Sequence, residues 1–376
     1  MGNEFLSVKN IARTALPRLI ENLVFPNLIY KDFSNDFEAG KGATVQVRKP
    51  VVLTASEFDA ASGTSAQDVV EESVEVTLDK LATVDVEFSA IQRATNVDDL
   101  TRLFLEPAMI ALAEKINSDG LGLYKDIKAT VGTAGTTPDG LDDFANAAEV
   151  LDNNKVPTAL RHGVWNAAAM AKFRQIGDIV NAEKSGTNEA LRRGSIGNIF
   201  GIDNYMAQGV KTSSGTTLEA GGTGATGVKV KTAVTADDDI ILVSNASANA
   251  TLTGAVKAGD IVTIGGKNYI VKTDATAASN ELAITLTENI TVATNAAATV
   301  ITGNANNLVF HESAVAFVTR PLAAPAGVES YTTSYNGISL RVTRGYDMKY
   351  KKEMLSMDVL YGYKTMYPEM AVRVLG

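Results

Sequence analysis

Apolar residues recur at helical spacing through VKNIARTALPRLIENLVFPNLIYKDF (8–33). Pro17 and Pro26 interrupt the pattern, because a proline removes a backbone donor and clashes with the preceding turn. Two short helical pieces or an arm are expected, rather than one long helix. The period then changes to 2. ATVQVRKPVVL (43–53) is followed by a polar stretch and by SVEVTLDKLATVDVEFSA (73–90). There Val74, Val76 and Leu78, then Val84, Val86 and Phe88, alternate with charged residues and Thr. This spacing predicts a long β-hairpin over 41–90 with its tip near ASGTSAQD (61–68). A two-stranded ribbon is marginal alone in water, so it must lie on its own body or on a neighbouring subunit. That is a first sign of an assembly protein.

Helical spacing returns at Asn96, a candidate N-cap with Asp99 three residues on. Val97, Leu100, Phe104, Ala108, Ala111 and Ile116 mark one face of a long helix, and Pro107 predicts a kink or break in it. A second helix is expected from about Leu141 to Leu151, with Phe144 and Ala148 on its apolar face. RHGVW (161–165) reads as a short strand, and Asn166 as a cap for AAAMAKFRQIG (167–177).

Composition shifts at about residue 211. From Lys211 to Asn306 there is no Arg and one aromatic, Tyr269, while Thr, Ala and Gly dominate. Strand-like runs recur at VKVKTAV (228–234), DIILV (239–243), DIVTI (260–264), NYIVKT (268–273), LAITL (282–286) and ATVIT (298–302), with Gly265-Gly266 suited to a tight hairpin turn. The block reads as a small β-barrel or sandwich inserted into a loop of another domain. The chain closes on strand-rich ISLRVTRGYDM (338–348), MLSMDVLYGYKTM (354–366) and MAVRVL (370–375). Tyrosines at 346, 350, 361, 363 and 367 could form an aromatic platform, but aromatics on strands are more often packing residues.

Candidate chemistry is sparse. GGTGATG (221–227) contains G-x-G-x-x-G at Gly222, Gly224 and Gly227, which binds a dinucleotide only between a strand and a helix. KTSSGTTLEA (211–220) before it is polar and turn-prone, and strand-like VKVKTAV follows, so a flexible glycine-rich joint is expected instead. Asp237, Asp238 and Asp239 read as a solvated turn. His162 and His311 are the only histidines, and each is expected as a hydrogen-bonded structural residue. With no cysteine, thiolate chemistry and disulfides are excluded. No catalytic, cofactor-binding or metal-binding residue is assigned, no cofactor is expected, and the chain is not expected to be an enzyme. The net charge of −9 argues against a general nucleic-acid binder. Neither a membrane span nor a secretory signal is visible.

RRGSIGNIFGIDNYMAQGV (192–210), NLVFHESAVAFVTRPL (307–322) and ISLRVTRGYDMKYKKEMLSMDVLYGYKTMYPEMAVRV (338–374) resemble major capsid (coat) proteins of tailed bacteriophages, in particular the short-tailed-phage coat family with an inserted β-barrel. Order and spacing carry the resemblance, which spans nearly the whole chain and is weakest in the insert. It implies an α+β, Hong Kong 97-type capsid fold. Residues 1–40 would be an N-terminal arm and 41–90 an extended loop reaching an adjacent subunit. Residues 91–130 and 336–376 would be the peripheral domain with its spine helix, 131–210 and 307–335 the axial domain, and 211–306 the inserted domain. The implied function is a virion shell subunit that assembles with itself through hexamers and pentamers. The implied partners are a separate scaffolding protein, a portal and packaged DNA held by proximity, with no membrane. A β-rich tail or surface-layer subunit is the alternative; it would explain the Thr/Ala-rich strands but not the helical middle.

Overall fold

The computed structural model describes residues 8–31, 44–48, 73–89, 105–181, 193–325, 327–347 and 352–376. The expected hairpin tip at 61–68 and the positions Asn96, Val97, Asp99, Leu100 and Phe104 lie outside these residues. In chain order the helices are α1 (Val8–Asn22), α2 (Glu106–Leu121), α3 (Leu141–Asn153), α4 (Ala167–Phe173) and α5 (Gly177–Val180). The first strands are β1 (Thr44–Arg48), β2 (Ser73–Thr77), β3 (Lys80–Ser89), β4 (Thr130–Val131), β5 (Arg161–Trp165), β6 (Asn198–Ile199) and β7 (Ile202–Met206). Next come β8 (Thr216–Thr223), β9 (Val228–Val230), β10 (Val234–Ser244), β11 (Ala248–Val256), β12 (Ile261–Ile264), β13 (Lys267–Ile270), β14 (Ala275–Thr276), β15 (Glu281–Val292) and β16 (Ala297–Ile301). The chain ends with β17 (Asn306–His311), β18 (Val315–Arg320), β19 (Glu329–Tyr335), β20 (Ile338–Asp347), β21 (Lys352–Thr365) and β22 (Ala371–Leu375). Two compact units result. One comprises residues up to Asn22, Tyr30–Ala113 and Val315–Met366, and the other Leu23–Ile29, Glu114–Ala314 and Tyr367–Gly376.

The first unit is organised by β21. One edge of this strand takes β20 opposite residues 352–358 and β18 opposite 360–365, while β3 lines the other edge from Ser89 to Lys80. Alternation puts Ile338, Leu340, Val342, Met357, Val359 and Tyr361 on a fully buried face. Helix α1 packs on β19 and β20 and buries Val8, Ala12, Ala15, Leu16 and Leu19, a stripe at helical spacing. Pro17 does not break α1, contrary to the expectation from the sequence. The second proline, Pro26, falls in the first turn of a short 3₁₀ segment, Phe25–Leu28, where its missing N–H costs nothing.

The hairpin also needs correction. Its ladder joins Thr44–Arg48 to Ser73–Thr77, but residues 80–89, expected in the same ribbon, pair with β21 instead. Both alternating runs have the strand period, and local sequence does not reveal a partner nearly three hundred residues away. Residues 315–335 likewise pair with β20 and β21 rather than joining 131–210, whereas β22 leaves the 336–376 stretch for the other unit.

In the second unit a six-stranded mixed sheet runs β4-β22-β17-β5-β7-β6. One face presents Trp165, Val309, Val372 and Val374 to Phe144 and Leu151 of α3 and to Met170 and Phe173 of α4. The Trp165 ring lies 5.0 Å from Phe144 and 4.8 Å from Phe173. Phe310 points to the opposite face, where Phe25 meets it at 5.3 Å. Asn117 near the end of α2 fixes that segment, its Oδ1 accepting from the Val24 and Phe25 amides at 3.1 and 3.2 Å. The expected helix around Pro107 is described from Glu106, so the proline sits in the first turn of the described helix and no kink is tested. Ala108 and Ile116 are buried as expected, but Ala111 is exposed and Met109, Leu112 and Ala113 complete the buried face. Asn166 caps α4 by accepting from the Ala169 amide at 2.8 Å, and the helix ends at Phe173, short of the expected 177.

Residues 216–301 form two sheets around one core. The six-stranded sheet β13-β12-β16-β9-β10-β15 curls until its edges meet through the Val271–Leu286 bridge and the Lys272 amide bonded to the Thr285 carbonyl at 2.8 Å. That closure removes two open edges and makes a barrel. The remaining sheet is β14-β11-β8. Val230, Ile240, Leu242, Leu252, Val262, Leu282 and Leu286 form the aromatic-free centre of its core, with Tyr269 only partly buried beside them. Gly265 and Gly266, at φ +60° and +78°, turn β12 into β13 as the sequence predicts. VKVKTAV is not one strand: β9 ends at Val230 and β10 begins at Val234, and strands β8, β11 and β14 lie outside the strand-like runs of the sequence.

Candidate functional site

The glycine segment lies inside the barrel, not at its joint. Strand β8 runs through Gly221 and Gly222 to Thr223 and pairs with β11, so the stretch expected to be merely turn-prone carries a strand. The tight turn after it leads into β9, not a helix. Its Thr226 and Gly227 amides, the kind of donors a phosphate would need, are taken by Asn245 Oδ1 at 2.8 and 3.1 Å. The joint is formed instead where Lys211–Ser213 lies against Asn304–Asn306. Thr212 bridges Ala305, and the Ser213 amide donates to the Asn304 carbonyl at 2.8 Å.

His162 and His311 lie on neighbouring strands. His162 pairs in register with Phe310 on one side and Asp203 on the other, whereas His311 pairs with Arg161. Strand alternation therefore points the two imidazoles to opposite faces, which is no arrangement for a shared metal. His162 rests near the rings of Tyr205 and Phe310, at 6.0 and 6.2 Å, with Asp203 Oδ2 4.0 Å from Nδ1. Burial lowers the pKa of His162 below 6.5, outweighing the opposing influence of Asp203 and Glu312. His311 is also lowered, chiefly by burial; its Nδ1 accepts from the Ser313 amide at 3.2 Å. His162 Nδ1 is buried without a hydrogen-bond partner.

Among the described residues, Asp237, Asp238 and Asp239 alone cluster closely enough to share a cation. They sit at the irregular part of β10, where Asp238 holds the Lys272 ammonium at 3.3 Å and Asp239 accepts from Thr285 Oγ1 at 2.7 Å. Among the described residues the tyrosines form no platform. Tyr361 and Tyr363 are buried around Phe317, with ring centroids 6.2 and 4.7 Å from it, while Tyr346 is exposed and Tyr350 lies outside the described residues.

A buried charge that the sequence did not flag joins barrel and sheet. Arg373 of β22 is 1% exposed; its Nη1 donates to the Gly259 carbonyl at 2.7 Å, and its guanidinium lies 5.1 Å from the Tyr124 ring. Burial pulls its pKa down to about 10, against the opposing attraction of Tyr124, Asp260 and Asp126, so it stays charged at neutral pH. Asp260, also buried, accepts from Ser213 Oγ and from the Lys257 amide, and its carboxyl is nevertheless pushed up by burial. In MAVRVL, Arg373 looks like the solvent-facing member of an alternating strand. Only the tertiary placement of Gly259 and Tyr124 shows otherwise.

The chain is similar to known coat proteins. Residues 271–376 match the family described as P22 coat protein, gene protein 5. No sequence among the curated proteins matches the chain. A structure from Mycobacterium phage Che8 shares the fold at a TM-score of 0.54 and 18% identity, over 94% of this chain and 90% of that one. The capsid of Cyanophage P-SCSP1u shares it at a TM-score of 0.51 and 13% identity, over 94% and 88%. No helix among the described residues is long and apolar enough to cross a membrane. The C-terminal end thus matches a coat-protein family, on a fold that the chain shares over nearly its full length with a phage capsid.

Proposed function

We propose that the coat subunit builds a Hong Kong 97-type icosahedral shell through hexamers and pentamers, and that the shell encloses double-stranded DNA. One observation carries this reading. The matched stretch, 271–376, supplies β15 and β16 to the barrel, β17 and β22 to the mixed sheet, and β18–β21 to the sheet of the other unit. The similarity therefore reaches every large sheet of the protein. In this reading residues 1–40 are the arm, 41–90 carry the extended loop, α2 belongs to the spine helix, and 211–306 are an inserted domain. A scaffolding protein and a portal are the further partners, and no enzymatic step is proposed. The net charge of −9 suits a wall that must not trap DNA on its surface.

Sedimentation of the purified protein tests the proposal. Rings of five and six copies and closed shells are expected. Removing residues 55–72, the far part of the proposed extended loop, should reduce those species more than it lowers the melting temperature. A deletion variant that assembles like the parent would remove the loop from the subunit contacts.

A further inference from the structure

Two large apolar side chains stand out at one end of the mixed sheet. Leu160, just before β5, and Phe200, in the turn between β6 and β7, are 57% and 56% exposed. Both also have left-handed backbones, at φ +56° and +50°, a region that bulky residues rarely adopt. The Arg161–Ile202 register brings these turns to the same end of the β5–β7 pair.

Both turns are held firmly from behind. Arg161, 2% exposed, donates to the Pro157 and Val156 carbonyls at 2.8 and 2.6 Å and to Asp152 at 2.7 Å. The Glu312 amide takes the Leu160 carbonyl at 3.1 Å. In the other turn Asn198 Oδ1 accepts from the Gly201 amide at 3.1 Å, and Asn204 links the Gly197 carbonyl to the buried indole of Trp165. Leu160 and Phe200 are thus held in strained, water-facing positions by a rigid support. Strain of roughly 1–3 kcal/mol per residue persists only where surrounding structure enforces it, and it concentrates at functional sites.

We infer that the Leu160–Phe200 tip is a contact between copies of this chain in the assembled shell; the inference rests on the coat reading. Charge selects this occupant. Copies each carrying −9 repel one another, so they meet best through uncharged apolar surface. The tip segments VPTAL (156–160) and IFGI (199–202) contain no charged residue. A nucleic acid would instead require basic side chains here.

The absence of cysteine allows a direct test. In Phe200→Cys the single thiol should react rapidly with a maleimide in the free subunit and at least about tenfold more slowly in rings or shells, as burial blocks access. Purified protein is used, so only another copy can provide the cover. A second variant, Leu160→Gly with Phe200→Gly, relieves the backbone and removes the contact. It should melt no lower than the parent yet assemble less. Equal thiol reactivity in free and assembled protein, or full assembly of the glycine variant, would overturn the inference. A parent chain that stays monomeric even with a scaffolding partner supplied would refute the coat reading, and the inference with it.

Discussion

At the scale of single residues, Gly222 shows how backbone and packing combine. It stands at φ +113°, and a β-carbon there would lie 2.7 Å from both Ala246 Cβ and the Asn249 carbonyl oxygen. Sequence reasoning that treats 221–227 as a loose joint predicts little cost for alanine. The structure predicts a loss of about 2–4 kcal/mol for Gly222→Ala, from strain and overpacking together. At Gly224, φ is +77° but the nearest atom is Ser247 Oγ at 3.9 Å, so alanine should cost only about 1–2 kcal/mol. Urea unfolding of the two variants distinguishes the accounts; equal, small effects would mean that β8 and β11 do not approach as closely as described.

His162 permits a second residue-level prediction. The folded protein holds this imidazole neutral by burial, with a pKa below the unfolded value of 6.5. Its contribution to stability is therefore complete above pH 6.5 and declines as pH falls below it, where the unfolded chain takes up the proton more readily. His311 works in the same direction. His162→Gln should flatten the acid side of the stability profile relative to the parent, measured by thermal melts between about pH 7 and 5. An unchanged profile would show that His162 is hydrated in the folded state. The two histidines are plain in the sequence, but their burial and opposite facing depend on the β17–β5 register.

At the scale of elements, periodicity was a good guide to what forms and a poor guide to what pairs. α3, β5, the Asn166 cap and the Gly265-Gly266 hairpin are legible because each is fixed by neighbours within a few residues. β8 and β11 are not legible because Thr, Ala and Gly give weak alternation: β8 buries no residue fully, and β11 buries only Leu252 and Val256. The assignment of β3 failed for the same reason that Arg373 went unnoticed: both are decided by partners far away in sequence. The barrel supports an element-scale prediction. Its sheet closes on itself, its core is its own, and its ends meet at Thr212 and Ala305. Residues 211–306 expressed alone should therefore give a dispersed, β-type amide NMR spectrum. The aromatic-free centre of the core predicts modest stability, since each buried Val, Leu or Ile contributes only about 1.5–3 kcal/mol against backbone ordering. A random-coil spectrum would show that the barrel depends on the remainder of the chain, with the Arg373–Gly259 bond a natural suspect.

At the scale of the whole molecule, composition excluded much and identified little. No cysteine, two histidines and a net charge of −9 left a structural role standing without naming it. The order of three segments carried the resemblance to tailed-phage coat proteins, and two of them, 307–322 and 338–374, fall within the matched residues 271–376. The third, 192–210, lies outside that match but holds β6, β7 and the exposed Phe200. The central claim is that many copies of this chain close into one shell. An electron cryomicroscopy reconstruction of particles assembled from the expressed protein, with a scaffolding partner supplied where needed, addresses it most directly. The account predicts icosahedral shells in which this fold occupies both five-fold and six-fold positions. Persistent monomers under all conditions, or open filaments and flat lattices in place of closed shells, would contradict it.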